Sequence, residues 1–193
     1  MGRKDLTQER QDAILDATER CIAKYGLQRT TLENIASEAK INRGLIHHYI
    51  GNREDVVQLM AERLLERYQN SFDEYARMRT ESNRSEIVLG YYFNAWFEQN
   101  PEDDILFLEM LAQSGRDSHI RKLLLKLYNG VENTIAKELT HFFPDTDDKK
   151  LHSVSYSLMV LAFAHATISW LGLPQAKQAD VRSVAANLVQ SLR

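Results

Sequence analysis

The sequence predicts an all-α protein of about nine helices. Only three Pro and eight Gly punctuate its 193 residues, too few for the many tight turns of a β fold. Apolar residues recur at helical spacing from one end to the other, and no segment alternates as a half-buried strand does. Hydrophobic residues at 44% and charged residues at 26% are those of an ordinary globular chain with room for one large or two small domains.

The helices follow in order. Residues 1–6 are polar and basic and read as an arm. From Thr7 the positions Ile14, Ala17, Cys21 and Tyr25 form one stripe, and Gly26 stands where a helix ends in a left-handed residue. A short helix from about 31 to 39 opens at Thr30 or Thr31, with Thr30-x-x-Glu33 as a capping-box pattern, and buries Leu32, Ile35, Ala36 and Ala39. Asn42 caps the next helix, which carries Leu45, Ile46, Tyr49 and Ile50. Gly51-Asn52 breaks the chain before a long helix over 53–78. Further helices are predicted at 84–99, 101–113, 117–142, 147–172 and 176–192, with Pro101, Pro144 and Pro174 among the breaks.

Several function classes fall away early. One cysteine, Cys21, permits no internal disulfide and fits a reducing, cytoplasmic setting, and no basic-then-apolar leader opens the chain. The uncharged stretch 157–173 includes His165, Thr167 and Ser169 and falls short of about 18 consecutive apolar residues, so a buried helix is expected and no membrane partner. No nucleophile–base pair, Gly-rich phosphate loop or metal-ligand spacing is present, so an enzyme is not expected, nor any cofactor or metal. The net charge of −3 is unevenly spread. Residues 1–53 hold nine Lys/Arg against seven Asp/Glu, whereas the remainder holds fifteen against twenty. A positive N-terminal part on a negative body suits an anionic partner held at one end.

Two short helices and a tight break at 30–53 form a helix-turn-helix pattern, in which the second helix enters the major groove of duplex DNA. Affinity there comes from phosphate contacts and specificity from base edges. Thr31 offers a hydroxyl at a helix start, though it is a helix cap in any case. Arg43 suits a guanine edge, Gly44 lets the backbone approach, and Leu45 suits a thymine methyl. His47, His48 and Tyr49 present polar-tipped rings, with Tyr49 partly in the core. Asn42 and Lys40 flank the turn, Arg53 offers a phosphate contact, and Arg3 and Lys4 add charge in the arm. Adjacent His47 and His48 point about 100° apart and chelate poorly.

These residues resemble the N-terminal domain of the TetR/AcrR family of bacterial transcriptional regulators, over about residues 8–68. Gly26, Thr30, Thr31, Ile35, Ala36, Ala39, Gly44 and Tyr49 match its pattern, and Leu32, Ile41, Asn42, Ile46 and Arg53 are conservative stand-ins. Lys40 replaces the turn glycine, His47 a common Tyr and Ile50 a Phe. The resemblance divides the chain into an arm and DNA-binding domain over 1–52 and a helical effector-binding and dimerisation domain over 53–193. It implies a repressor released from a pseudo-palindromic double-stranded operator by a small-molecule effector, acting as a homodimer. The alternative is a helical ligand-binding or scaffold dimer without operator binding.

In the body, aromatic residues concentrate in the middle helices. Tyr92, Trp96, Phe107, Met110, Tyr128 and Tyr156 are candidate effector-pocket walls, and Glu98, Glu109 and His119 candidates for a polar or cationic effector group. The last two helices offer dimer stripes: Val154, Leu158, Leu161, His165 and Ile168 on one, Val181, Val184, Ala185, Leu188 and Leu192 on the other. An internal core would show the same pattern.

Overall fold

The structure, a computed structural model, describes residues 3–78, 84–94, 101–169, 172 and 175–193. Among these residues there are nine α-helices and no strand: α1 (Arg3–Tyr25), α2 (Leu32–Glu38), α3 (Arg43–Tyr49), α4 (Arg53–Arg77), α5 (Arg84–Phe93), α6 (Pro101–Ser114), α7 (Ser118–Phe142), α8 (Asp148–Ser169) and α9 (Gln175–Gln190). The predicted all-α class is observed. One boundary differs clearly. The segment expected as an arm is the opening turn of α1 from Arg3 onward, because no helix breaker separates Arg3–Leu6 from the amphipathic run. The predicted end of α5 at 99 lies outside the described residues.

The chain forms two compact units. The first comprises Met1–Glu66 and Glu102–Leu124, the second Arg67–Pro101 and Leu125–Arg193. The first unit therefore extends past the expected boundary at residue 52 and takes in α6.

In the first unit, Ile14, Ala17 and Cys21 of α1 pack with Leu32, Ile35 and Ala36 of α2, Ile46 of α3 and Val56 of α4. Cys21 is a buried thiol, and burial pushes its pKa up, so it packs rather than reacts. Polar contacts then tie the helices together. Arg63 of α4 lies against three carboxylates of α1: Asp16, Glu19 at 3.1 Å and Asp12 at 4.0 Å. Arg20 of α1 pairs with Glu38 of α2 at 2.7 Å. From α6, the Glu109 carboxylate accepts the Leu27 N–H at 2.7 Å, and Gln113 meets Gln28 at 3.1 Å. Glu109 thus holds the turn after α1, where Gly26 adopts φ +79°.

In the second unit α5 packs on both α8 and α9, and α8 packs on α9. Phe72, Tyr91 and Tyr92 are buried together, with Tyr91 edge-on to both neighbours. Burial raises the Tyr91 phenol to about 12, against the opposing hydrogen bond with Ser71. Arg182 of α9 reaches Glu86 of α5 at 2.5 Å, and Thr146 donates to the Leu192 carbonyl at 3.0 Å. By length and composition α8 is apolar enough to cross a membrane. Its Leu151, Val154, Leu158, Met159, Ala162 and Phe163 are buried within the unit.

Candidate nucleic-acid interface

Local chemistry fixes α2 and α3, each only seven residues long. Thr31 is the α2 N-cap, and its box is completed by Asn34: the Asn34 N–H donates to the Thr31 hydroxyl at 3.2 Å and the Asn34 side chain accepts the Thr31 N–H at 3.2 Å. The expected box of Thr30 with Glu33 is therefore displaced by one residue. Thr30 is buried, and its hydroxyl donates to the Gly26 carbonyl at 2.9 Å. Burial decides the frame: Leu32 must face inward, which places Thr31 at the exposed cap.

The turn between the helices closes with the Schellman pattern. The Ile41 N–H donates to the Ala36 carbonyl at 3.0 Å and the Lys40 N–H to the Ser37 carbonyl at 3.2 Å. Lys40 occupies the left-handed position at φ 55°, the one non-glycine residue with positive φ among those described. A side chain there costs about 1 kcal/mol relative to glycine. The exposed ammonium is what this strain retains.

Asn42 caps α3 by accepting the Gly44 N–H at 2.8 Å. Ile46, fully buried, is the one α3 residue driven into the core. At the far end, Gln11 of α1 donates to the Tyr49 carbonyl at 2.7 Å, and the half-buried Tyr49 ring stands edge-on to His48 at 5.0 Å. With α3 held at both ends and through Ile46, its other face is open. Arg43, Gly44, His47 and His48 are exposed, and Leu45 is 40% exposed despite being apolar. That face combines a guanidinium, a gap, an aliphatic tip and two imidazoles on about two turns. Arg43 forms an ion pair with Glu33 of α2, whose pKa is lowered by a hydrogen bond from its own backbone N–H and by Arg43.

Comparison with known proteins places this geometry. A sequence model described as bacterial regulatory proteins, tetR family, matches residues 14–60, the stretch just built. The HTH-type transcriptional regulator HbdR of Aromatoleum sp. (strain CIB) is 34% identical over 64 residues, 33% of this chain and 28% of HbdR. The matched part is thus under a third of that relative's own length. Among solved structures, a TetR transcription regulator from Haloarcula marismortui superposes with a TM-score of 0.79 at 19% identity, covering 95% of this chain and 98% of the other. A transcriptional regulator from Saccharomonospora viridis, crystallised in complex with choline, gives 0.76 at 16% identity, covering 95% and 96%.

Residues 14–60 carry the TetR-family sequence pattern, and the chain as a whole has a TetR-like all-α fold.

Within the matched head, most of the residues singled out from sequence share the open surface: Thr31, Lys40, Asn42, Arg43, Gly44, Leu45, His47 and His48 are all exposed. Arg53 is different. Its guanidinium donates to the Thr30 carbonyl at 2.7 Å and the Leu27 carbonyl at 2.5 Å, closing the turn between α1 and α2. A side chain expected to contact phosphate is held by backbone carbonyls. Arg3 and Lys4 fall in the first turn of α1, and their side chains lie outside the described residues.

The body is less concentrated. A cavity of about 180 Å³ in the second unit is lined by Tyr92, as expected, together with Tyr68, Phe72, Asp73, Tyr91 and Gly130. The other candidates among the described residues do not line it. Phe107 and Met110 are core residues of the first unit, Glu109 holds Leu27, and His119 is exposed at the start of α7. Tyr128 packs edge-on against Phe163 at 4.5 Å, and Tyr156 is 55% exposed. Trp96 and Glu98 lie outside the described residues.

The candidate dimer stripes divide as well. Val154, Leu158, His165, Ala185 and Leu192 are buried within the unit, Leu161, Val181 and Leu188 are half-buried, and Ile168 and Val184 are exposed. The large apolar residues that α8 turns outward are Tyr156, Val160 and Ile168. An α8 that is apolar on nearly every side defeats periodicity as a guide to which stripe faces in.

Proposed function

We propose that this chain is a ligand-responsive transcriptional repressor that binds a pseudo-palindromic operator as a homodimer in the cytoplasm. The observation that carries the reading is the outward face of α3. Arg43, Leu45, His47 and His48 are exposed on a helix fixed by the Asn42 cap, Ile46 and the Gln11 bond. A helix of this kind presents its N-terminal residues to base edges in the major groove. Arg43 at its first position supplies a bidentate donor for guanine, and Leu45 supplies a contact for a thymine methyl. Lys40 and the Thr31 hydroxyl flank that face as phosphate contacts that set register.

Dimerisation follows from the apolar residues the second unit leaves open. Tyr156, Val160 and Ile168 on α8 and Val184 on α9 are covered by a second copy, and two heads then meet half-sites about one helical turn (~34 Å) apart. An effector acts by binding better to the conformation whose heads do not fit that spacing. Helix α4 suits such coupling, since Arg63 braces α1 while Phe72 and Asp73 line the cavity.

Selection of duplexes from a random library tests the base-reading assignment. Wild-type protein is expected to enrich paired half-sites, and Arg43→Ala to lose discrimination at one base pair per half-site, by about 1–3 kcal/mol. Unchanged preference in Arg43→Ala sinks the assignment.

A further inference from the structure

The cavity in the second unit has a chemical bias. Tyr68, Gln69, Phe72 and Asp73 of α4, Tyr91 and Tyr92 of α5, and Leu127, Gly130, Val131 and Thr134 of α7 line about 180 Å³. Four of these residues are aromatic, and the rings of Phe72, Tyr91 and Tyr92 contact one another. Phe72 and Tyr92 stack at 5.5 Å with planes 19° apart, and Tyr91 stands at 87° to each. Among the described residues of the lining, Asp73 is the only carboxylate, and none is Lys, Arg or His. Among the described residues no basic side chain pairs with Asp73. The field is negative beyond Asp73 itself: after burial and Tyr91, both Asp73 and Glu138 push the Tyr92 phenol upward.

Aromatic faces carry negative quadrupole density and attract cations within about 6 Å of the ring centre. An anion entering here would meet Asp73 and the ring faces together. A neutral ligand would bury the same area without the Coulomb gain. The volume falls below the roughly 300–1,000 Å³ of drug-sized pockets, so a compact ligand fits it best.

We propose that this cavity binds a small organic cation of the alkylated ammonium class, its charge set against Asp73 and its alkyl groups against Tyr68, Phe72, Tyr91 and Tyr92. This rests on the reading of the chain as a ligand-responsive regulator, and it names the class of ligand. Binding is measured on the full-length protein without DNA, so the two readings fail separately.

Isothermal titration with tetramethylammonium, choline and 3,3-dimethylbutan-1-ol, the uncharged carbon isostere of choline, gives the test. Choline is expected to bind about tenfold or more tightly than the isostere, because only the charge differs. Asp73→Asn, with an unchanged circular dichroism spectrum, is expected to remove most of that preference. Tyr68→Leu, at a half-buried position that tolerates the change, is expected to weaken choline on the order of fivefold and the isostere less. Equal affinity for choline and its isostere overturns the proposal, as does binding of neither ammonium ion or an undiminished preference in Asp73→Asn. A protein that binds duplex DNA but ignores both ammonium ions loses the cation assignment and remains a regulator. One that binds choline and no duplex does the reverse.

Discussion

The two units use the same helical material for different ends. The first fixes two seven-residue helices that are too short to hold themselves, and it does so with specific polar contacts: Asn34 on Thr31, Gln11 on Tyr49, Glu109 on Leu27, Arg53 on two carbonyls. The second relies on longer helices with large buried side chains and leaves an aromatic-walled space. A reading surface must present side chains in fixed positions, so its backbone is over-determined. Under the proposed function, a sensing body must have two arrangements of similar energy, and the cavity gives its side chains room to change.

The largest expected effect tests how much the first unit depends on one apolar anchor. Ile46→Ala removes the only α3 residue in the core and should cost about 3 kcal/mol. Urea unfolding measures it, and a loss under about 1 kcal/mol would show that the caps alone hold α3. Next comes Arg53→Ala. If its guanidinium braces the turn after α1, stability falls by about 2 kcal/mol, in the range for charged hydrogen bonds. The salt dependence of duplex binding by the folded fraction then stays the same. A salt slope lower by about one with stability intact would return Arg53 to the phosphate role.

A smaller effect concerns Asp104 in the first turn of α6. Burial, and then Asp103, raise its carboxyl to about 6 from 3.8. A carboxyl with a raised folded pKa favours the fold when protonated, so its ionised form costs stability. That cost is absent below about pH 3.8, grows as pH rises and is complete above about pH 6. Asp104→Asn should therefore gain about 1 kcal/mol at pH 7.5, after discounting for its partial exposure, and nothing near pH 3.5. A gain that does not vary with pH would contradict the assignment. The smallest effect is at Lys40. Lys40→Gly should relieve the left-handed strain and add up to about 1 kcal/mol, while lowering the salt slope of DNA binding by about one. Stabilisation with an unchanged slope would leave Lys40 outside the interface.

Much of the first unit was legible in the sequence because turn chemistry is local. Gly26, Asn42 and the break at Gly51 act within a few residues, and each lies where the spacing put it. The differences there are also physical. Thr30 and Thr31 both fit a cap, and only the burial of Leu32 selects Thr31. Arg53 and Glu109 suggest phosphate and effector contacts in sequence, whereas the fold also gives them partners far away in the chain, Leu27 and Thr30. In the second unit the helices were predicted but their inward faces were not. The outward stripe of α8, Tyr156 to Ile168, is as apolar as the stripe of Val154 and Leu158 beside it. The cavity draws Phe72 and Asp73 from α4 and Gly130 from α7, and no spacing along the chain links them.

The central claim is that α3 and its flanking charges bind duplex DNA. Fluorescence anisotropy with library-enriched duplexes, from about 50 to 300 mM salt, tests it most directly. The account predicts that log K falls linearly with log salt, with a slope equivalent to several released counterions, and that scrambled duplexes bind more weakly at every salt concentration. Binding that ignores salt, or no binding to any duplex at the lowest salt, would contradict it.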